Sequence, residues 1–157
     1  MITIGSKLPD HEFTFITPEG KVTRTSAEIF GGKRIVLFAV PGAFTPTCSN
    51  AHLPGYVVKA DQFAAGGVDE ICCLSVNDAF VMRAWQREQN AEAITMLADG
   101  DGTFVSQLGL AKETGAFGGL RAQRFALIAE DGVVTALRVE APGKFEVSDA
   151  GSMLTLL

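Results

Sequence analysis

The sequence predicts an α/β sandwich in which a mixed central sheet is flanked by helices. Three observations carry that reading. The apolar runs Ile35–Val40 and Ile71–Val76 are too short for helices and sit beside turn residues, so they read as buried strands. Helical patterns alternate with these runs, which is the order of βαβ winding. Late in the chain, Phe125–Ala129 and Val133–Val139 flank Glu130-Asp131-Gly132, a hairpin signature that adds an antiparallel pair.

Each element follows in turn. His11–Thr17 alternates loosely and ends at Pro18-Glu19-Gly20, the first arm of a hairpin. Ser26 is placed to cap a short helical turn, Ala27–Phe30, which Gly31-Gly32 stops. After the strand Ile35–Val40, Thr45 suits an N-cap and Pro46 the first helical position, with a helical pattern reaching about Ala65. Pro54-Gly55 lies inside it, so a kink is expected near Ala51–Leu53. Asn77 is expected to cap a helix whose Phe80, Val81, Ala84 and Trp85 share a buried face. Ile94–Ala98 reads as a third strand, Gly102–Leu108 as a short helix, and Ser148 or Asp149 as the cap of a last helix to Leu157. A thioredoxin-like arrangement satisfies this order. A flavodoxin-like parallel sheet competes, and the late hairpin counts against it.

At 157 residues the chain is read as one domain, 1–157, without repeat or linker. Its 47% apolar residues suffice for a core and exclude disorder. A net charge of −5 argues against nucleic acid, which needs a clustered cationic excess. The longest apolar runs fall short of a membrane span, and Met1–Asp10 has no signal-peptide pattern. Three cysteines make no secreted disulfide framework, and two histidines suit few metal sites. The expectation is a soluble cytoplasmic protein with neither metal nor cofactor.

Several motifs are missing. The Gly-Lys pairs at Gly20, Gly32 and Gly143 lack the upstream glycine of a phosphate-binding loop. Ala51 stands where a CxxC motif would need its second cysteine, and Pro54 where a cysteine phosphatase would need arginine. What remains is Pro41-Gly42-Ala43-Phe44-Thr45-Pro46-Thr47-Cys48-Ser49, which carries the chain from a buried strand into a helix start. Unpaired N–H groups and the positive end of the dipole meet there, favouring a thiolate at Cys48. Thr45 lies one turn earlier, so its hydroxyl faces the same pocket. Pro41, Gly42 and Phe44 shape the loop around it. Taken alone, the pattern also suits an ordinary capped helix carrying a half-buried cysteine.

The longer string resembles the active-site segment of the peroxiredoxins: proline, three residues, threonine, two residues, cysteine, here Pro41, Thr45 and Cys48. His52–Tyr56 (HLPGY) and Cys73–Val81 are similar to segments of the type II, peroxiredoxin-5-like subfamily. Arg124–Leu127 with Glu130-Asp131-Gly132 resembles the strand bearing that family's catalytic arginine. The matches run in order over most of the chain. They imply a thiol-dependent peroxidase in which Cys48 attacks hydrogen peroxide or an alkyl hydroperoxide and becomes a sulfenic acid. They also imply that Thr45 and Arg124 hold the reacting oxygens, and that a homodimer forms beside the site. Arg121 reads as a solvated or interface charge, and His52 as a structural hydrogen-bonding residue at the kink.

Reduction is less constrained. Cys73 follows Cys48 by the 25 residues seen in plant type II peroxiredoxins, which makes it a candidate resolving cysteine. The region Ala141–Leu157, where related proteins carry theirs, contains none. Cys72 reads as a small apolar residue of a buried strand. If Cys73 is structural too, the resemblance implies an external donor, glutathione with glutaredoxin, or thioredoxin. A peroxide sensor that passes oxidation to a partner is the alternative on the same fold.

Overall fold

A computed structural model describes residues 1–157. A hairpin of β1 (Glu12–Thr17) and β2 (Gly20–Thr25) leads into α1 (Ser26–Phe30). The central sheet takes β3 (Arg34–Ala39), β4 (Glu70–Ser75), β5 (Ile94–Ala98), β8 (Phe125–Glu130) and β9 (Val133–Val139). Between β3 and β4 come α2 (Leu53–Val58) and α3 (Ala60–Ala65); α4 (Ala79–Glu88) precedes β5 and α5 (Thr103–Gln107) follows it. A small hairpin of β6 (Ala111–Glu113) and β7 (Leu120–Ala122) precedes β8, and α6 (Ala150–Leu154) closes the chain. The sheet order is β5-β4-β3-β8-β9; β3, β4 and β5 are parallel, and β8 and β9 antiparallel. The mixed sheet and its late antiparallel pair are those predicted, while the β6–β7 hairpin has no counterpart in the sequence reading.

Side chains alternate across the sheet and divide the interior into two cores. Ile35, Leu37, Cys72, Leu74, Phe125 and Leu127 point to one, closed by the β1–β2 hairpin, α1 and α5. Val36, Phe38, Cys73, Ala126 and Ile128 point to the other, under the helices that follow β3. In that second core Phe38 stacks on Tyr56 with ring centroids 4.0 Å apart. Complete burial of such a ring contributes roughly 1.5–3 kcal/mol. Cys48 lies in this core as well.

Two caps fall one residue from their expected positions. Thr25, not Ser26, caps α1 through a capping box with Glu28, while Ser26 Oγ donates to the Pro9 carbonyl. Asp78, not Asn77, caps α4 by accepting the Val81 N–H. Of the two residues expected to cap the last helix, Asp149 does so, accepting the Ser152 N–H. The buried face of α4 is Met82 and Trp85; Phe80 and Ala84, expected inside, are exposed.

The predicted kink is a π-turn. Across Cys48–His52 the helix widens, and the Leu53 N–H bonds the Cys48 carbonyl five residues back. Pro54 supplies the cause: it has no N–H, and its ring crowds the carbonyl of Asn50 four residues earlier. The helical path breaks again at Lys59, short of the continuous span expected.

Candidate active site

The loop after β3 is fixed from both sides. Asn77 Oδ1 accepts the Ala43 N–H at 3.0 Å, and Arg121 Nη1 donates to the Pro41 carbonyl at 2.9 Å. A Cβ on Gly42 would collide with Arg121 Nη1, so glycine is what lets the guanidinium reach the loop. Arg121 is therefore no solvated charge. It sits half-buried on β7, its Nε enclosed without a partner. Phe44 adopts a left-handed conformation (φ 64°), which turns its ring outward, 51% exposed.

Thr45 stands at the helix start as predicted, its carbonyl accepting the Ser49 N–H at 2.9 Å. Its hydroxyl does not cap. It donates to the Gly42 carbonyl at 2.6 Å, which spends its only hydrogen and leaves the oxygen as an acceptor. The Cys48 N–H has no backbone acceptor, as expected for the first turn. Cys48 is completely buried, and Arg124 Nη2 donates to its sulfur at 3.1 Å.

Arg124 is held in place by a chain of bonds. Its Nη1 donates to His52 Nδ1 at 2.8 Å, and His52 Nε2 meets the Ser148 carbonyl at 3.0 Å. A guanidinium cannot accept and a carbonyl cannot donate, so His52 is neutral with its proton on Nε2. Burial, aided by the Arg124 charge, drives the His52 pKa down to about 3. Tyr56 OH donates to the same Ser148 carbonyl at 2.7 Å, and burial keeps its phenol protonated far up the pH scale. The Ser148 N–H and hydroxyl in turn donate to Glu140 Oε2 at 2.8 and 2.7 Å. Burial alone would raise the Glu140 carboxyl. The Ser148 hydroxyl and the N–H groups of Glu146, Val147 and Ser148 outweigh it and hold the pKa below the usual range.

A cavity of about 560 Å³ opens beside this arrangement, lined among others by Pro41, Thr45, Phe117, Arg121 and Arg124. The structure thus brings Pro41, Thr45, Cys48 and Arg124 together. Gly42 lies beneath Arg121, and the half-exposed Phe44 ring sits 6.5 Å from that of Trp85. Cys73 is on the same side of the sheet as Cys48, with its thiol free; burial, with the neighbouring Cys48 and Cys72, pushes its pKa far up. Cys72 faces the opposite core, also as a free thiol.

The model of the Redoxin family matches residues 3–154, nearly the whole chain. The chain belongs to the redoxin family. Its relatives are peroxiredoxins: it is 43% identical to peroxiredoxin-2C of Oryza sativa subsp. japonica, over 99% of this chain and 98% of that one. With peroxiredoxin-2E, chloroplastic, of Arabidopsis thaliana it shares 44% identity over 99% of this chain and 69% of the relative. Among solved structures, reduced Prx3 of Vibrio vulnificus in complex with hydrogen peroxide superposes with a TM-score of 0.97 at 58% identity, covering 99% of both chains. This redoxin is a thiol-dependent peroxidase with the thioredoxin-like fold and type II character that its sequence resembles.

Sequence reasoning missed Arg121, Asn77 and Glu140 as supports of the site. Arg121 carried the one available signal, a cation three residues from Arg124 in a glycine-rich stretch. Glu140 carried none, because its partners are backbone N–H groups.

Proposed function

We propose that Cys48 is the thiol that attacks the peroxide, with Arg124 and Thr45 holding the peroxide in place. The observation that carries this reading is the 3.1 Å bond from Arg124 Nη2 to the Cys48 sulfur at a helix start. The thiolate attacks one peroxide oxygen, and a sulfur–oxygen bond forms as the oxygen–oxygen bond breaks. The sulfur loses two electrons, and the other oxygen leaves with a proton as water or an alcohol. Charge moves from sulfur to the leaving oxygen, within reach of the fixed guanidinium and the free Cys48 N–H. Thr45 Oγ, already a donor to Gly42, accepts the hydroperoxide O–H. Pro41, Gly42 and Phe44 shape the loop rather than react.

The sulfenic acid then condenses with an external thiol, releasing water, and a second thiol frees Cys48 as a disulfide leaves. Glutathione with glutaredoxin, or thioredoxin, is the proposed donor; burial of Cys73 supports an external rather than an internal one. A homodimer beside the site and a cytoplasmic location are proposed alongside. Phe44 and Phe117 on exposed loops support the first, three free thiols the second.

Mass analysis of the reduced protein after one equivalent of hydrogen peroxide tests the assignment. The expected product gains one oxygen, and gains a glutathionyl group instead when glutathione is present. Cys48→Ser gains neither and loses peroxide turnover, whereas Cys72→Ser still oxidises. Turnover retained in Cys48→Ser would sink the reading.

A further inference from the structure

The chain carries a net charge of −5, yet the wall of the cavity beside Arg124 carries four cations, Lys112, Arg121, Arg124 and Lys144, against one carboxylate, Glu140. That carboxylate is committed to the N–H groups of Glu146, Val147 and Ser148 and to the Ser148 hydroxyl. The ion pairs of the molecule are Arg24–Glu70, Lys33–Glu70 and Arg34–Glu130, none of them at the cavity. Lys112 stands directly opposite Arg121 across the β6–β7 pair. Like charges in that position repel, and an anion between them would relieve the repulsion. Arg121 and Arg124 already hold the Pro41 carbonyl, His52 and the Cys48 sulfur. The ammonium groups of Lys112 and Lys144 are exposed and have no protein acceptor.

Size points the same way. Hydrogen peroxide needs roughly the space of two waters, about 60 Å³, far less than the 560 Å³ available. Phe117, Pro142 and Phe145 give the remainder apolar walls. We propose that Lys112 and Lys144 form a carboxylate subsite at this cavity, which binds the carboxylate of an amphipathic organic co-substrate while its reactive group is turned toward Arg124. The inference rests on the peroxidase reading. The carboxylate belongs either to the thiol reductant or to an organic hydroperoxide.

Two experimental arms separate these sources. In the first, kcat/KM is measured for glutathione and for its uncharged-carboxyl diethyl ester, with hydrogen peroxide as oxidant. In the second, the rate of single-turnover oxidation is measured with linoleic acid hydroperoxide and with its methyl ester. Each is run on the unaltered protein, on the double variant Lys112→Gln/Lys144→Gln, and on Lys21→Gln in the β1–β2 hairpin as a control for loss of a surface charge away from the cavity. The ratio of acid to ester should fall by about five- to tenfold in the double variant, in the arm whose molecule carries the recognised carboxylate. Lys21→Gln should keep the ratio of the unaltered protein. A ratio unchanged in both arms, or an equal fall in Lys21→Gln, overturns the subsite. If hydrogen peroxide is still consumed, only the subsite fails; if the unaltered protein consumes none, the peroxidase reading falls and the subsite with it.

Discussion

His52 shows how a neutral, buried residue sets the geometry of a charged one. Its Nδ1 fixes Arg124, and Arg124 meets the sulfur only in that orientation. The folded-state pKa of about 3 lies below the ordinary 6.5, so the unfolded chain binds more protons between these values. Stability from this group is complete above 6.5 and is lost as pH falls toward 3. Between about pH 7 and about pH 5 the loss is on the order of 2 kcal/mol. Glu140 has the same sign, but its window lies lower, below the ordinary 4.5. Urea unfolding at the two pH values should therefore show a falling midpoint in the unaltered protein. His52→Asn should be less stable at neutral pH and lack most of that fall. An equal fall in both proteins would remove His52 as its cause. The meeting of Thr45, Cys48 and Arg124 was legible because each lies in a short contiguous segment that resembles a peroxiredoxin motif. Arg121 was not, because its partner, the Pro41 carbonyl, lies 80 residues away and has no side-chain signature.

At the scale of elements, the strands were legible as apolar runs between turns, and the caps were legible only as neighbouring pairs. In Thr25-Ser26, Asn77-Asp78 and Ser148-Asp149 either residue has the chemistry of a cap. One caps, and the other makes a tertiary contact: Ser26 to Pro9, Asn77 to Ala43, Ser148 to Glu140. Such contacts depend on distant chain, so local pattern cannot assign the roles within a pair. The β6–β7 hairpin was missed for a related reason: its strands have three residues each and no apolar run. Alternation along β4 sends Cys73 toward the Cys48 side and Cys72 away, as one of the two had to be. Facing that way does not make Cys73 reactive. It is completely buried, with its thiol strongly disfavoured from ionising. Cys73→Ala should accordingly keep most steady-state peroxidase activity with glutathione as donor, and the oxidised protein should show no intramolecular disulfide by mass. Activity lost in Cys73→Ala would make Cys73 the resolving cysteine.

For the whole molecule, the open question is what covers the rim of the site. Phe44 is 51% exposed and Phe117 is 85% exposed; Phe44 belongs to the loop that leads into the Cys48 turn, and Phe117 lines the cavity with Arg124. Phe44 is held outward by a left-handed backbone that costs roughly 1–2 kcal/mol in a residue with a Cβ. Apart from a tilted approach to Trp85 at 6.5 Å, half of the ring stays open to solvent, so packing against a second surface would offset that cost further. Phe117 lies over the Arg121 guanidinium at 5.6 Å, which fixes its direction while leaving it open to solvent. Two directed aromatics on a rim have the character of interface anchors. Light scattering at tens of micromolar should therefore give twice the chain mass for the reduced protein. The double variant Phe44→Asp/Phe117→Asp should give a monomer whose circular dichroism is unchanged, since neither ring supports either core. A monomeric unaltered protein would remove both rings as interface anchors, leaving Phe117 as a wall of the cavity. A dimer that survives both substitutions would move the interface to another face, where exposed Phe80 on α4 is the next aromatic to test.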